Sequence, residues 1–325
     1  MSATVLITDY GFKNIDLERA TIKGAGFHLK TAQCRTPGEV LEAARDVDAL
    51  IVQWAPLNAQ VIAALPKRVR VVVRYGIGVD NIDLPAATAR GLPVCNVPDY
   101  CIDEVADHAM ALALALARQL PQTHARTIAG EWKITPPAAM PAFRDMIFAC
   151  AGFGRIARAV LARARAFGFR LAAYDPFVPN SEFTAIGVTQ LSRDELFESA
   201  SILSLHLPLN TETRHFIDAT RLQSFRSATV LVNTSRGGLI DTVALAKALH
   251  AGRLGGAGLD VYETEPLSGD HPLLDAPNAI LTSHTAWFSE ASVPRLQRLA
   301  AEEAVRALRG ESLKNQLNRA VSSIS

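Results

Sequence analysis

The strongest constraint on the fold is a repeated alternation of short apolar segments with longer segments of helical periodicity. In the first hundred residues the short segments are rich in β-branched residues, and helical patterns such as EVLEAARD and AQVIAALP lie between them. The short segments are TVLITDY, HLKTAQ, ALIVQW, VRVVVRYG and PVCNVP. Strands that alternate with helices form parallel sheets, because a parallel pair needs a crossover connection. These hundred residues therefore predict a parallel α/β domain.

The same alternation starts again in the second half of the chain. After Pro98 the pattern DEVADHAMALALALARQL predicts a long helix with Asp103 as its N-cap. The strand-like segments that follow Met146 are IFACAG, RLAAYD, SILSLHLP, ATVLVNT, GAGLDVY and AILTSH. The segment after His284 is helical and has no strand of its own, so we expect it to pack back on the first domain. The fold class is α/β, with two doubly wound domains of Rossmann-like or flavodoxin-like type and a cleft between them.

A glycine motif marks the start of the second domain. Gly152, Gly154 and Ala157 form GxGxxA directly after an apolar strand and directly before the helical segment IARAVLARARAFG. Gly152 permits a tight turn, Gly154 lets the backbone approach a pyrophosphate, and the helix start offers N–H groups to an anion. The motif by itself also fits an ordinary glycine turn. Its strand–turn–helix position indicates dinucleotide binding.

An acidic residue follows the next strand at the spacing that this interpretation needs. Asp175 closes RLAAYD, about 20 residues after the glycines, where a carboxylate can accept hydrogen bonds from both ribose hydroxyls. The same carboxylate would repel a 2′-phosphate, and neither Pro176 nor Phe177 offers a compensating charge. NAD is therefore predicted over NADP.

Three ionisable residues follow later strands of the second domain: Arg236, Glu265 and His284. Ligands of open α/β sheets bind outside the carboxyl ends of the strands, so these side chains are expected to converge. His284 can donate a proton to a developing alkoxide, and Glu265 can fix its tautomer and stabilise its protonated form. Arg236 can hold a carboxylate with two hydrogen bonds. The trio suits the reduction of a carbonyl group beside a carboxylate.

Composition argues against several other classes of protein. Lys and Arg number 33 against 32 Asp and Glu, so no basic field attracts nucleic acid or an anionic membrane. The four cysteines have neither CxxC nor Cys/His spacing, which argues against a disulfide framework and against a metal site. No signal peptide or membrane span is recognisable, and a cytoplasmic location is expected.

Several motifs together resemble the D-isomer-specific 2-hydroxyacid dehydrogenase family. The matching segments occur in the family's order along nearly the whole chain, and they are RYGIGVDNIDL, NVPDYCIDEVADH, GFGRIA, HLPLNTETRHFI, VNTSRGGLID, LDVYETEP and SHTAW. Within the family, the SHTAWFSE and CNVPDYC segments are similar to glyoxylate or hydroxypyruvate reductases and to the C-terminal-binding-protein branch.

The resemblance implies roles for particular residues. It makes Arg236, Glu265 and His284 a catalytic trio and predicts a homodimer that forms through the cofactor domain. The implied NAD contacts are Gly152, Phe153, Gly154, Arg155, Ile156, Asp175, His206, Pro208, Thr213, Thr234, Ser235, Arg236, Asp260 and His284. The implied substrate contacts are Trp54, Arg74, Tyr75, Gly76, Ile77, Gly78, Tyr100, Arg236 and Trp287. Residues 1–100 with 288–325 then form the substrate-binding domain, and residues 101–287 form the NAD-binding domain.

Some of these residues have a second interpretation. Asp260 can cap a turn instead of touching the nicotinamide, and Trp287 can pack between the domains instead of forming a wall that favours short substrates. The backbone of His206 is expected to matter more than its ring, and His108 is expected to be a helix-packing or interface residue.

The predicted reaction is the NAD-dependent reduction of a small 2-keto acid, such as glyoxylate or hydroxypyruvate, to the D-2-hydroxy acid. Two alternatives remain at this point: a 3-phosphoglycerate dehydrogenase and a NAD-sensing interaction protein.

Overall fold

Local sequence signals account for where several helices begin. Thr36 accepts a hydrogen bond from Glu39 N while the Glu39 carboxylate accepts one from Thr36 N, and this reciprocal pair starts helix α2 (Pro37–Ala43). Ser192 and Glu195 start helix α9 (Arg193–Ser199) in the same way. Such caps satisfy N–H groups that the first turn of a helix leaves without partners. The computed structural model that shows these contacts describes residues 2–318.

The first compact unit comprises the residues up to Cys101 and those from Phe288 onward. With elements numbered along the chain, its strands are β1 (Thr4–Ile7), β2 (His28–Thr31), β3 (Ala49–Val52), β4 (Val71–Arg74) and β5 (Val94–Cys95). Its helices are α1 (Asp16–Gly24), α2, α3 (Ala59–Ala64), α4 (Leu84–Arg90) and α12 (Ser292–Leu308). The strands pair in parallel in the order β2-β1-β3-β4-β5. Helix α12 packs against α1, β3 and β4 of this unit.

The second unit extends from Ile102 to Trp287. Its strands are β6 (Ile147–Ala151), β7 (Arg170–Tyr174), β8 (Thr189–Gln190), β9 (Ile202–Leu205), β10 (Val230–Asn233), β11 (Gly256–Leu259) and β12 (Ala279–Leu281). Its helices are α5 (Ile102–Ala117), α6 (Leu120–Ile128), α7 (Arg155–Ala166), α8 (Asn180–Thr184), α9, α10 (Arg221–Ser224) and α11 (Thr242–His250). The sheet is parallel in the order β12-β11-β10-β9-β6-β7-β8.

Buried apolar side chains cover both faces of the second sheet. One cluster includes Leu203, Leu231 and Leu259, and another includes Phe148 and Val232. Strands that are buried on both faces read as continuous apolar runs, which is how these segments appear in the sequence.

The predicted α/β fold is confirmed, and two details differ from the prediction. Helix α5 begins at Ile102, so Asp103 lies in its first turn and is not the N-cap. The Asp103 carboxylate instead accepts a hydrogen bond from Arg163 Nη2 at 2.9 Å. Strand β8 was not predicted, because two residues carry too little pattern to be distinguished from a loop.

Each sheet has a point at which the order of its strands reverses. In the first unit this point lies between β1 and β3, and in the second it lies between β6 and β9. The loops after such strands diverge and leave a crevice where ligands of open α/β sheets bind. The second crevice lies beside the glycine motif that follows β6.

Candidate active site

The predicted catalytic and cofactor residues of the second unit follow its strands at one edge of the sheet. Gly152 comes after β6, Asp175 after β7, His206 after β9, Arg236 after β10 and His284 after β12. Because all these strands are parallel, their carboxyl ends share the same edge. The topology therefore brings residues from five different loops to one edge.

His284 and Glu265 form a hydrogen-bonded pair. His284 Nδ1 lies 2.7 Å from Glu265 Oε2, and Glu265 Oε1 accepts a hydrogen bond from Tyr262 N at 3.0 Å. Burial raises the pKa of Glu265, but the hydrogen bonds from His284 and Tyr262 and the charges of His284 and Arg236 outweigh it. The net pKa lies below the ordinary value, so Glu265 is an anion at neutral pH. Both side chains are partly exposed, so a ligand can reach the imidazole.

The loop that carries His284 adopts an unusual backbone conformation. His284 has a φ of 55°, in the left-handed region that non-glycine residues seldom adopt. Its N–H donates to Asp260 O at 2.8 Å. A non-glycine residue keeps a left-handed backbone conformation only where the surrounding structure imposes it, and such residues occur often at functional sites.

Asp260 holds the same loop through its side chain. Its carboxylate accepts hydrogen bonds from Thr282 Oγ1, Thr285 N and Ala286 N at 2.5, 2.9 and 2.9 Å. Only 1% of the side chain is exposed. These contacts are those of the turn-capping interpretation, and a contact between Asp260 and the nicotinamide stays a prediction.

His108 joins this network, which the sequence did not indicate. Its Nε2 lies 3.0 Å from Thr282 Oγ1 and 3.7 Å from Asp260 Oδ1. From the sequence, His108 is expected only to be a helix-packing or interface residue. No local pattern could have indicated the contact.

The loop after β10 is ordered by hydrogen bonds around Arg236. Asn233 Nδ2 donates to Arg236 O at 2.9 Å, and Asn233 Oδ1 accepts from Ser235 N at 3.0 Å. Ser235 Oγ donates to Leu205 O at 2.7 Å, so this hydroxyl is engaged within the protein. The charge of Arg236 contributes to the low pKa of Glu265, which relates the three residues electrostatically.

The glycine motif has the geometry that a dinucleotide needs. Gly152 has a φ of 96°, and a Cβ there would lie 2.6 Å from His206 O. Gly154 is exposed and has open space where a Cβ would be. No side chain caps the start of α7, and the first turn of a helix attracts anions. The Phe153 ring, in contrast, is buried and stacks on Phe183.

The position of Asp175 fits a role in ribose binding. Asp175 Oδ2 accepts from Phe153 N and Oδ1 accepts from Phe177 N, each at 3.0 Å. A carboxylate has about four lone-pair sites, so each oxygen can accept a further hydrogen bond. The residue stands one position beyond β7, beside the glycine turn. The glycine turn and Asp175 therefore lie side by side, as the predicted binding of a pyrophosphate and a ribose requires.

Two buried polar atoms beside the crevice have no partner among residues 2–318. They are His206 Nδ1 and Thr234 Oγ1, which follow the neighbouring strands β9 and β10. Burial lowers the pKa of His206 to about 3, so its ring is neutral at physiological pH. Buried polar groups without partners are costly, and these atoms fit a site completed by a ligand. Further along, Thr213 Oγ1 donates to Pro208 O at 2.6 Å and so braces the loop after β9.

The predicted substrate contacts of the first unit differ in exposure. Trp54 follows β3, and its side chain is exposed (60% for the residue). Its backbone N–H donates to Asp9 Oδ2 at 2.6 Å. The ring of Tyr75 is buried, so this side chain does not face a ligand, and only its backbone can. Tyr100 is also buried, and its carbonyl accepts from Arg295 Nη1. Trp287, the last residue of the second unit, is half-buried.

Residues 2–318 contain neither a helix that could span a membrane nor a cluster of possible metal ligands. No helix in this range is long and apolar enough to cross a membrane. Nor does the range contain a group of three or more His, Cys, Asp or Glu side chains that could hold a metal ion.

Sequence comparisons identify relatives with named activities. Residues 110–286 match the family model described as D-isomer specific 2-hydroxyacid dehydrogenase, NAD binding domain. A glyoxylate reductase from Korarchaeum cryptofilum is 37% identical over 286 residues, which cover 87% of this chain and 86% of the relative. A D-3-phosphoglycerate dehydrogenase from Mycobacterium leprae is 36% identical over 93% of this chain, but this chain spans only 57% of its length.

Solved structures show the same architecture. A glyoxylate reductase from Paecilomyes thermophila has a TM-score of 0.87 and 29% identity, with 98% of this chain and 99% of that chain covered. A D-lactate dehydrogenase from Aquifex aeolicus, complexed with NAD and lactic acid, has a TM-score of 0.85 and 25% identity, with 94% and 96% covered.

Proposed function

Because this chain belongs to the D-isomer-specific 2-hydroxyacid dehydrogenase family and is a NAD-dependent enzyme of that class, we propose that it reduces glyoxylate or hydroxypyruvate to the corresponding D-2-hydroxy acid. The main support for this reaction is the hydrogen-bonded pair of His284 and Glu265 at the carboxyl edge of the second sheet, which can donate a proton to a carbonyl oxygen. The relative named glyoxylate reductase, aligned over most of both chains, supports the substrate class.

The hydrogen bonding of His284 assigns a role to each ring nitrogen. Nδ1 is engaged with Glu265, so Nε2 is the atom that donates a proton to the substrate oxygen during reduction. Glu265 keeps the ring in one orientation and stabilises the imidazolium before the proton leaves. When bound, NADH supplies the hydride that the carbonyl carbon accepts.

Arg236 and the loop of residues 74–78 have complementary proposed roles. Arg236 binds the substrate carboxylate through its planar guanidinium and polarises the neighbouring carbonyl. In the first unit, backbone N–H groups of the loop can bind a carboxylate. Under this proposal, the second unit holds NAD and the first unit supplies substrate contacts. Residues 319–325 of the predicted substrate-binding domain lie outside the described residues.

The partner and the location belong to the proposal as well. The four cysteines are buried free thiols, which agrees with a reducing compartment such as the cytoplasm.

A homodimer through the second unit is supported by a patch that we call the α6 patch, which consists of Leu120, Ile128, Trp132 and Ile134. Trp132 is 84% and Ile134 is 94% exposed, and no residue of α6 is buried. Exposed apolar patches of this kind mark interfaces.

A panel of keto acids tests the substrate. NADH oxidation would be measured with glyoxylate, hydroxypyruvate, pyruvate and 3-phosphohydroxypyruvate, and the chirality of each product would be determined. We expect the highest kcat/KM for glyoxylate or hydroxypyruvate, with a D product from hydroxypyruvate. A preference for 3-phosphohydroxypyruvate would instead favour the phosphoglycerate dehydrogenase activity named for other relatives. Turnover of none of the four would reject the proposed substrate class.

A further inference from the structure

A buried polar cluster lies behind the loop of residues 74–78 in the first unit. The Tyr75 hydroxyl donates to Glu18 Oε1 at 2.6 Å, and Gln297 Nε2 donates to Glu18 Oε2 at 3.1 Å. Gln297 Nε2 also donates to Asn14 O at 2.8 Å. Glu18 and Tyr75 are almost completely inaccessible to solvent, and Gln297 is buried. The cluster joins α1, α12 and the end of β4 through one carboxylate.

In the loop of residues 74–78, in front of this cluster, carbonyl groups accept hydrogen bonds from the protein, while two backbone N–H groups have no acceptor in the part of the chain that the structure describes. Tyr75 O accepts from the Arg74 guanidinium, Gly76 O accepts from Val97 N, and Ile77 O accepts from Asn96 Nδ2. Within residues 2–318, the N–H groups of Ile77 and Gly78 donate to no acceptor. Successive N–H groups on a concave turn attract an anion.

Tyr75 is the last residue before the two glycines of this loop. Its N–H continues the sheet by donating to Val52 O at 2.8 Å, and its ring packs edge-on against Phe12 with 5.2 Å between the ring centroids. Gly76 and Gly78 follow, and glycines on both sides of Ile77 restrain the backbone little. The phenol therefore anchors the loop at the point where the sheet ceases to hold it.

We propose that Glu18, acting through the Tyr75 hydroxyl, is a positioning residue that holds the loop of residues 74–78 in the shape that binds the substrate carboxylate. The inference rests on the proposed function, which assigns carboxylate binding to this loop. Glu18 does not touch the substrate. Its effect reaches the Ile77 and Gly78 N–H groups through the phenol and the backbone of Tyr75.

The energetics of the cluster favour a specific role over simple packing. Burial raises the pKa of Glu18, while the hydrogen bonds from Tyr75 and Gln297 act in the opposite direction. A buried carboxylate is costly unless its hydrogen bonds are made, so the geometry of Tyr75 is tightly specified. A leucine and a phenylalanine would fill a similar volume without this cost.

Two conservative variants and a matched control test the proposal. Tyr75→Phe keeps the ring and its contact with Phe12, and Glu18→Gln keeps the shape of the side chain. Asp48→Asn is the control, because Asp48 is another buried carboxylate of the same unit. It binds Thr4 N and Arg68 at the amino ends of the strands, far from the loop. Each variant would be assayed with glyoxylate at saturating NADH, and hydrogen exchange of a peptide spanning residues 74–82 would be measured.

Tyr75→Phe and Glu18→Gln should each raise the KM for glyoxylate by about tenfold, since small displacements of binding groups have effects of this size. The dissociation constant for NADH should stay within twofold, and exchange in residues 74–82 should increase. Asp48→Asn should lower the thermal midpoint without either change. The double variant should raise the KM no more than the larger single effect, because Tyr75→Phe removes the same hydrogen bond that Glu18→Gln weakens by removing its charge.

Three results would overturn the inference: an unchanged KM and unchanged exchange in Tyr75→Phe, additive effects in the double variant, or an equal rise of KM in Asp48→Asn. If the parent does not reduce glyoxylate, the proposed substrate fails, and hydrogen exchange of the loop still decides whether Glu18 positions it.

Discussion

At the scale of single residues, the proposed proton transfer depends on a charge placed 2.7 Å from the imidazole of His284. The Glu265 carboxylate, with its pKa held below the ordinary value by its hydrogen bonds and by nearby positive charge, is ionised at neutral pH. An adjacent anion favours the protonated imidazole, and reduction requires His284 to begin protonated. His206 cannot substitute for it, since burial lowers the pKa of that ring to about 3.

Replacement of Glu265 by glutamine should therefore change the pH dependence of reduction. Glu265→Gln keeps the shape of the side chain but removes a negative charge beside the proposed proton donor, so the alkaline limb of kcat/KM for reduction should move to lower pH. The measurement is the profile for glyoxylate reduction at saturating NADH in both proteins. His284→Ala, which removes the donor, should lower kcat by about 10²–10⁴-fold. Coincident alkaline limbs in the parent and Glu265→Gln would leave Glu265 with no electrostatic role.

At the scale of elements, the two glycines of the turn between β6 and α7 are needed for different reasons, one for the fold and the other for ligand binding. Gly152 is needed for the fold, because its φ is 96° and a Cβ would collide with His206 O. Gly154 has an ordinary φ of −74° and open space around it, so nothing in the protein requires a glycine there. What remains to explain Gly154 is the close approach of a ligand.

Alanine at these two positions should have different effects. Gly152→Ala should destabilise the protein by about 1–3 kcal/mol, the usual cost of a strained backbone position. Gly154→Ala should leave the thermal midpoint unchanged and weaken NADH binding, since a methyl group would occupy the space that the pyrophosphate needs. Calorimetry of the apoprotein and titration with NADH measure the two quantities separately. Tight NADH binding by Gly154→Ala would argue against a pyrophosphate at this turn.

At the scale of the whole molecule, the α6 patch should place two copies of the chain in one assembly. Light scattering after size-exclusion chromatography should give twice the chain mass of 35.0 kDa. Trp132→Glu should shift the protein towards the monomer, because it places a charge in an apolar contact. Leu274→Glu is the control, since Leu274 is an exposed leucine of the same unit outside the patch. A monomeric parent, or dissociation by the control variant, would reject this interface.

The features that depend on short-range pattern could be predicted from the amino-acid sequence. The alternation of strands and helices, the GxGxxA turn and the spacing to Asp175 are local, since each reflects the periodicity or the turn geometry of neighbouring residues. The motifs that contain Arg236, Glu265 and His284, and the order of all the motifs along the chain, also indicated the family. Two-residue strand β8 and the first residue of α5 were missed, because such short signals are ambiguous.

The distant residues that support the site could be identified only from the folded chain. His108 meets Thr282 across 174 positions of sequence, and Glu18 meets Gln297 across 279. Asp260 proved to be buried in the loop of His284, an outcome that the sequence had left open. Such contacts depend on how helices pack on the sheets, and a periodic pattern specifies which face of a helix is buried but not which side chain it meets.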